Sequence, residues 1–292
     1  MRFIQYVKKI TPMLDRPIST LENQLQEGGS STLGKIAGLP IRDDLLAAQE
    51  LFLLGQAMGE NAQIQLSSWD GFNFPARAHE NAKCLLSNYR STAKAAESRE
   101  LITPAAEWLL DNHHMVEGHA RQVVRDLPVK FYNQLPTIFL DDGHKVPRSL
   151  ALAWVFVAHT NSNFDVTAFT SLVEGFQKSQ VLDIGEIWAL PAILRMALLE
   201  NLRRISDRVE NSRKMRAAAN EFADQIIQQL DEREIEKRLE NQTASTLDDG
   251  FSAQLLYRLR DSSHSAARVL SWLEDHLEAR GSDAEECIIA NA

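Results

Sequence analysis

Cysteine occurs only twice, at Cys84 and Cys287, far apart and outside any CxxC pattern. That excludes a disulfide framework and a thiolate zinc site, and it fits a reducing compartment. Long apolar runs are missing as well. The longest, Leu150 to Ala158, is bounded by Ser149 and His159. A transmembrane helix needs roughly 20 apolar residues, so this run reads as a buried core helix and no direct membrane span is expected. A second stretch, Ile187 to Leu199, is interrupted by Pro191 and Arg195. The opening residues, Met1 to Lys9, are too short and too polar for a signal peptide. Positive charge is in deficit: 31 Lys and Arg stand against 40 Asp and Glu, for a net charge of −9. Phosphate backbones demand a cationic surface, so nucleic acid is excluded as a partner. GxSxG, P-loop, GxGxxG and Asp-x-Asp patterns are all absent, and no cofactor is expected.

What remains is a globular composition, 44% hydrophobic and 24% charged over 292 residues, long enough to bury a real core. Alternating strand patterns are scarce and helical spacing recurs throughout, so the fold is expected to be all-α, a helical array. Residues 1–40 read as an N-terminal segment, with a capping box at Ser19 and Glu22, and a flexible linker around Gly28 to Ser31. A main helical domain is expected over 41–240. Asp43 or Asp44 would cap its first helix, through about Ala62. Ser67 to Pro75 reads as an aromatic loop, and 76–98 as helix. Thr103-Pro104 opens a helix cleanly, ending near Asp126-Leu-Pro128. Phe131 to Pro136 reads as a connector, Asp141 to His144 as an exposed turn, Pro147 as a helix start and Asp165 as a cap. From Ile184 to about Leu239 no turn residue intervenes, so one long helix is expected as a spine, kinked at Pro191. Its second half, roughly Arg208 to Leu239, is polar with a narrow apolar stripe and would dock on a partner. A C-terminal helical hairpin over 251–280 is expected to pack on the main domain.

Two constellations suggest chemistry. His113 and Glu117 share a helix face beside His114, and imidazole with carboxylate is a zinc donor set. The spacing is not HExxH and no further ligand is evident, so a polar helix face is the simpler reading and no metal is expected. Carboxylates flanking a cleft serve as acid and base in sugar chemistry; Glu107 and Asp111 on one helix, with Glu186 and Glu200 on another, are the candidates. They are equally explained as capping groups or as partners of Arg195, Arg203 and Arg204. Trp108, Trp154 and Trp188 would make a sugar-stacking platform, yet each lies in an apolar stripe. They are therefore expected to be buried and close together.

Three blocks resemble the N-terminal region of the cyclic β-1,2-glucan synthase family. The first is Ile102-Thr-Pro-Ala-Ala-Glu-Trp-Leu-Leu-Asp-Asn112, continuing to Arg125-Asp-Leu-Pro128, Phe131-Tyr132 and Gln134-Leu-Pro136. The second is Leu152-Ala-Trp-Val-Phe-Val-Ala-His-Thr160 with Phe164-Asp165. The third is Ile184-Gly-Glu-Ile-Trp-Ala-Leu-Pro191 with Leu194-Arg195 and Leu199-Glu-Asn-Leu-Arg-Arg204. The similarity covers about residues 40–280. It implies a region preceding a membrane-embedded glycosyltransferase domain that extends a β-1,2-glucan from UDP-glucose. Later domains of the family cyclise and trim the product. The sequence contains no transmembrane spans and no QxxRW-type acceptor motif, so it is expected to be a non-catalytic module. The resemblance implies the transferase domain or a partner subunit as its contact, a glucan as an additional ligand, and a cytoplasmic place at the inner-membrane face. The alternative is a stand-alone helical unit that binds or processes glycans with carboxylates between helices.

A last expectation concerns polar residues in apolar blocks. Asp111, Asn112, His159, Glu200, Asn201, Arg203 and Arg204 would each be costly if buried alone. They are expected to bond across helices and fix the register of the helices starting at Thr103, Pro147 and Ile184. Arg195 and Arg203 are the leading partners for Asp111 and Glu200.

Overall fold

The computed structural model describes residues 40–62, 64–65, 74–100, 102–139, 145–227, 249–259 and 264–279. The expectations for residues 1–39, the aromatic loop over 67–73, the turn at 141–144 and the stretch 228–248 lie outside them. The fold is all-α, a helical array with one small sheet. Its helices are α1 (Ala48–Asn61), α2 (Phe74–Glu97), α3 (Pro104–Asp126), α4 (Val129–Tyr132), α5 (Arg148–His159), α6 (Val166–Phe176), α7 (Ile184–Ile227), α8 (Asp249–Leu259) and α9 (His264–Ala279).

Several starts follow from local chemistry. The Thr103 hydroxyl accepts from the Ala106 amide at 3.3 Å ahead of Pro104, and the Asp165 carboxylate accepts from Ala168 at 2.7 Å. Both satisfy amides that a helix leaves orphaned. The first helix begins later than Asp43 or Asp44 would place it. The amides of Asp43 and Leu46 donate instead to the Ala158 and His159 carbonyls, each at 3.0 Å. That holds 43–46 along the end of α5, so the turn begins only after Ala47, whose amide donates to the Glu50 carboxylate at 2.8 Å. Phe74 and Pro75, read as loop, are the first residues of α2.

The sheet is antiparallel, in the order β1 (Ile64–Gln65), β2 (Thr137–Phe139) and β3 (Lys145–Pro147). Ile64 faces Ile138, and Ile138 faces Val146. Strands this short carry no alternation to read. They deliver the chain into α5, ten of whose residues are buried.

The molecule divides into two compact units, with the division inside α7 between Arg208 and Val209. In the first, Leu51, Leu54, Leu85, Phe156, Leu172, Phe176, Ile193 and Met196 are at most 2% exposed and belong to one core. Here α1 and α6 meet backbone to backbone. A Cβ at Gly55 would overlap the Leu172 carbonyl oxygen, one at Gly175 the Phe52 carbonyl oxygen, and one at Gly59 would lie 2.5 Å from the Phe176 oxygen. In the second unit, Ala219, Phe222, Ala223 and Ile226 of α7 share a core with Phe251, Leu255 and Leu259 of α8 and Val269, Leu273 and Leu277 of α9. The apolar stripe on the polar half of α7 thus has its partner in the C-terminal hairpin.

Candidate functional site

The most concentrated chemistry of the first unit is a buried cluster around Glu200. This residue is 4% exposed on α7. Arg77 of α2 donates to both of its oxygens, Nε to Oε2 at 2.8 Å and Nη2 to Oε1 at 2.7 Å. Oε1 also accepts from Arg204 Nε at 2.8 Å and Arg203 Nη2 at 3.0 Å. The cluster extends outward: Arg77 Nη1 donates to Glu80 at 2.7 Å. Arg203 Nη1 donates to Asp207, whose other oxygen accepts from Asn88 at 2.7 Å. The Arg204 guanidinium lies over the Trp154 ring, 4.9 Å from its centroid, an arrangement favoured by the ring quadrupole. Burial alone would raise the Glu200 carboxyl, but its hydrogen bond to Arg77 and the charges of Arg204, Arg77 and Arg203 outweigh that and hold it far below the usual carboxylate range. A carboxylate held in this way stays charged within the cluster.

Glu186 is enclosed in the same manner. It is fully buried, and Arg148 donates to it through Nε at 2.6 Å and through Nη2, which also donates to the Val181 carbonyl at 2.9 Å. The Asp183 amide donates to Glu186 at 2.8 Å. Glu186 therefore closes the N-terminus of α7 and anchors it to the start of α5, whose Arg148 amide donates to Pro136 at 3.1 Å.

Asn201 and His159 bond to distant segments. The Asn201 amide group accepts from the Ile41 amide at 2.6 Å, and donates to the Ile41 carbonyl at 3.2 Å and the Ser162 hydroxyl at 2.7 Å. His159 Nδ1 lies 2.7 Å from the Asp44 carbonyl oxygen.

The α3 candidates lie elsewhere. Glu107 and Asp111 are exposed. Asn112 donates at 2.8 Å to the Trp108 carbonyl of its own helix, so neither Asp111 nor Asn112 joins the buried network. That corrects the expected register lock on α3: the buried face of this helix is Ala106, Leu109, Val116, Ala120 and Val123, and neither Asp111 nor Asn112 lies on it. Arg195, expected to face Asp111 or Glu200, instead lies 3.6 Å from Asp126. His113 stacks on Tyr89 with centroids 4.5 Å apart, His114 is exposed, and Glu117 accepts from Arg121 at 3.2 Å. Among the described residues no three His, Cys, Asp or Glu side chains are placed to share a metal ion.

The tryptophans correct the expectation of a shared buried cluster. Trp188 is 78% exposed and Trp108 44% exposed; of these three, Trp154 packs against the core of the first unit, where it is half-buried. A helix stripe broad enough to read as apolar all round includes residues that point outward, and Trp188 stands on the outer side of α7. Trp154 lines a cavity of about 20 Å³ with Arg77, Leu150, Met196, Ala197, Glu200 and Arg204. That is about the space of a single water and far too small for a sugar ring.

Arg77 and Arg148 escaped the sequence reading. Both carried a signal. Arg77 interrupts the buried stripe Phe74, Ala78, Asn81, Leu85 of α2. Arg148 puts a cation at the first position of an apolar helix, the end where the macrodipole disfavours it. Each anomaly asks for a buried carboxylate.

No helix among the described residues is long and apolar enough to cross a membrane. No protein-family model matches the chain. Over 250 residues, 86% of its length, the chain is 48% identical to the cyclic beta-(1,2)-glucan synthase NdvB of Rhizobium meliloti (strain 1021). The match spans 9% of that relative's length. The resemblance carried by the three sequence blocks is thus an extended homology, and this chain is related to a limited region of a cyclic β-1,2-glucan synthase.

Proposed function

We propose that the chain is a non-catalytic helical module, N-terminal within a cyclic β-1,2-glucan synthase, that supports a membrane glycosyltransferase domain polymerising glucose from UDP-glucose. In this reading it lies on the cytoplasmic side of the inner membrane and contacts the transferase domain. One observation carries the proposal: the two buried carboxylates suited by sequence to sugar chemistry, Glu186 and Glu200, are closed inside arginine clamps. Groups so enclosed position helices, their carboxylate oxygens engaged by arginine and backbone donors. The remaining candidates, Glu107 and Asp111, are exposed on α3.

The test is Glu200→Gln in the full-length synthase. The module reading expects less folded synthase, while glucan formed from UDP-glucose per folded molecule stays within about twofold. A normally folded, normally abundant synthase whose rate per molecule falls about a hundredfold would overturn it, since loss confined to the chemical step marks a catalytic group.

A further inference from the structure

The first turns of α7 carry an apolar face that nothing in the described structure covers. Val181 is 74% exposed, Ile184 77%, Trp188 78% and Ile187 49%. Positions 184, 187 and 188 are helix neighbours at steps of three and four, and Pro191, also exposed, continues the same side. The opposite side of these turns is firmly held: Glu186, Ala189, Leu190, Ala192 and Ile193 are buried. The face is therefore rigidly presented. Three large apolar side chains on the first turn-and-a-half of the helix, with Val181 in the segment just before it, form a patch of a kind that water-facing helices avoid and that marks contact sites. Tryptophan at its centre is the side chain most enriched among binding hot spots.

We infer that this face docks against an apolar surface of a neighbouring domain in the same synthase polypeptide; the inference rests on the module reading above and names its contact surface. Size decides the kind of occupant. Four apolar side chains make a patch short of the ~800 Å² and about 20–30 residues per partner that stable free complexes bury. A contact so small is sufficient when a covalent link supplies an effective concentration near the millimolar range. The homologous synthase offers such neighbours, since the chain corresponds to only 9% of it. A net charge of −9 also opposes pairing of two free copies. The polar half of α7 does not compete for this role, because its apolar stripe is already buried against α8 and α9.

Thiol labelling tests the inference. Cysteine replaces Ile184, Trp188 or, as a control on exposed α2 surface, Glu97, in a background carrying Cys84→Ser and Cys287→Ser. Each variant is made in the isolated chain and in the full-length synthase. Docking predicts that maleimide reacts at 184 and 188 at least about tenfold more slowly in the synthase than in the isolated chain, with the Glu97→Cys control unchanged. Equal rates in both settings overturn it. Slowing in the isolated chain that grows with its concentration assigns the face to a second copy, and slowing on addition of phosphatidylglycerol vesicles assigns it to a bilayer; either outcome overturns the cis contact. Failure of the module reading is separate: it is a loss of rate per folded molecule in Glu200→Gln, whatever the labelling shows.

Discussion

Arg77 and Glu200 stand 123 positions apart and share two hydrogen bonds of 2.8 and 2.7 Å inside the core. This pair joins α2 to α7 with a directional contact, where apolar packing alone would tolerate sliding. A buried network of paired charges penalises every other register, because any shift strands a charge.

Removing one partner should therefore be costly. Arg77→Met leaves Glu200 short of two donors, and Glu200→Gln leaves three arginines facing a neutral amide. Each is expected to destabilise the first unit by about 3–5 kcal/mol, the range for breaking a buried pair. The double variant carrying Arg77→Met and Glu200→Gln together is expected to cost less than the sum of the two singles, with coupling above about 1 kcal/mol in a urea-denaturation cycle. Additive effects would place the pair outside the core.

The same cluster gives a pH dependence. Glu200 has a folded-state value well below its unfolded value. Its contribution is therefore complete above the unfolded value of about 4.3 and is lost as pH falls from there toward the folded value. The melting-temperature gap between the wild type and Glu200→Gln should be constant from pH 7 to about 5 and narrow steadily below about pH 4. A gap that widens on acidification would contradict the assigned sign.

Glycine placement gives a steric prediction. Gly55→Ala and Gly175→Ala each drive a methyl group into a backbone carbonyl of the facing helix. Each should cost about 1–3 kcal/mol or more, because neither helix has a flexible side chain to yield. Gly118, in the middle of α3, has nothing within 4 Å of an added Cβ. Gly118→Ala is expected to stabilise by about 0.5–1 kcal/mol through helix propensity alone. Thermal melts of the three variants should move in these opposite directions.

The tryptophans separate in the same assay. Trp188→Ala should stay within about 0.5 kcal/mol of the wild type, as for an exposed residue. Trp154→Ala removes the ring beneath Arg204 and its contact with the core, and should cost about 2 kcal/mol or more.

The helical architecture was legible because spacing, caps and breakers agree with one another: Thr103, Pro147 and Asp165 stand where α3, α5 and α6 begin. The small sheet was not, since strands of two or three residues carry no period. Partners across the core were half legible. Glu200 and Asn201 announce themselves as polar residues in an apolar block, but which cation answers depends on helix crossings. Arg77 comes from α2 and Arg148 from α5, while Arg195 turns to Asp126. Burial of Trp108 and Trp188 was misjudged because hydrophobicity reports the preference of a side chain, while exposure depends on which side of a helix finds a neighbour. Gly55 and Gly175 became informative only once α1 and α6 were seen to cross.

In the proposed module the carboxylates of this region take no part in glucose transfer. The most direct test is the rate of β-1,2-glucan formation from UDP-glucose, per folded molecule, by the full-length synthase carrying Glu107→Gln and Asp111→Asn together. Both side chains are exposed, so folding is spared and the rate reads chemistry alone. The account predicts a rate within about twofold of the wild type; a fall of about a hundredfold, the scale of a lost acid or base, would contradict it.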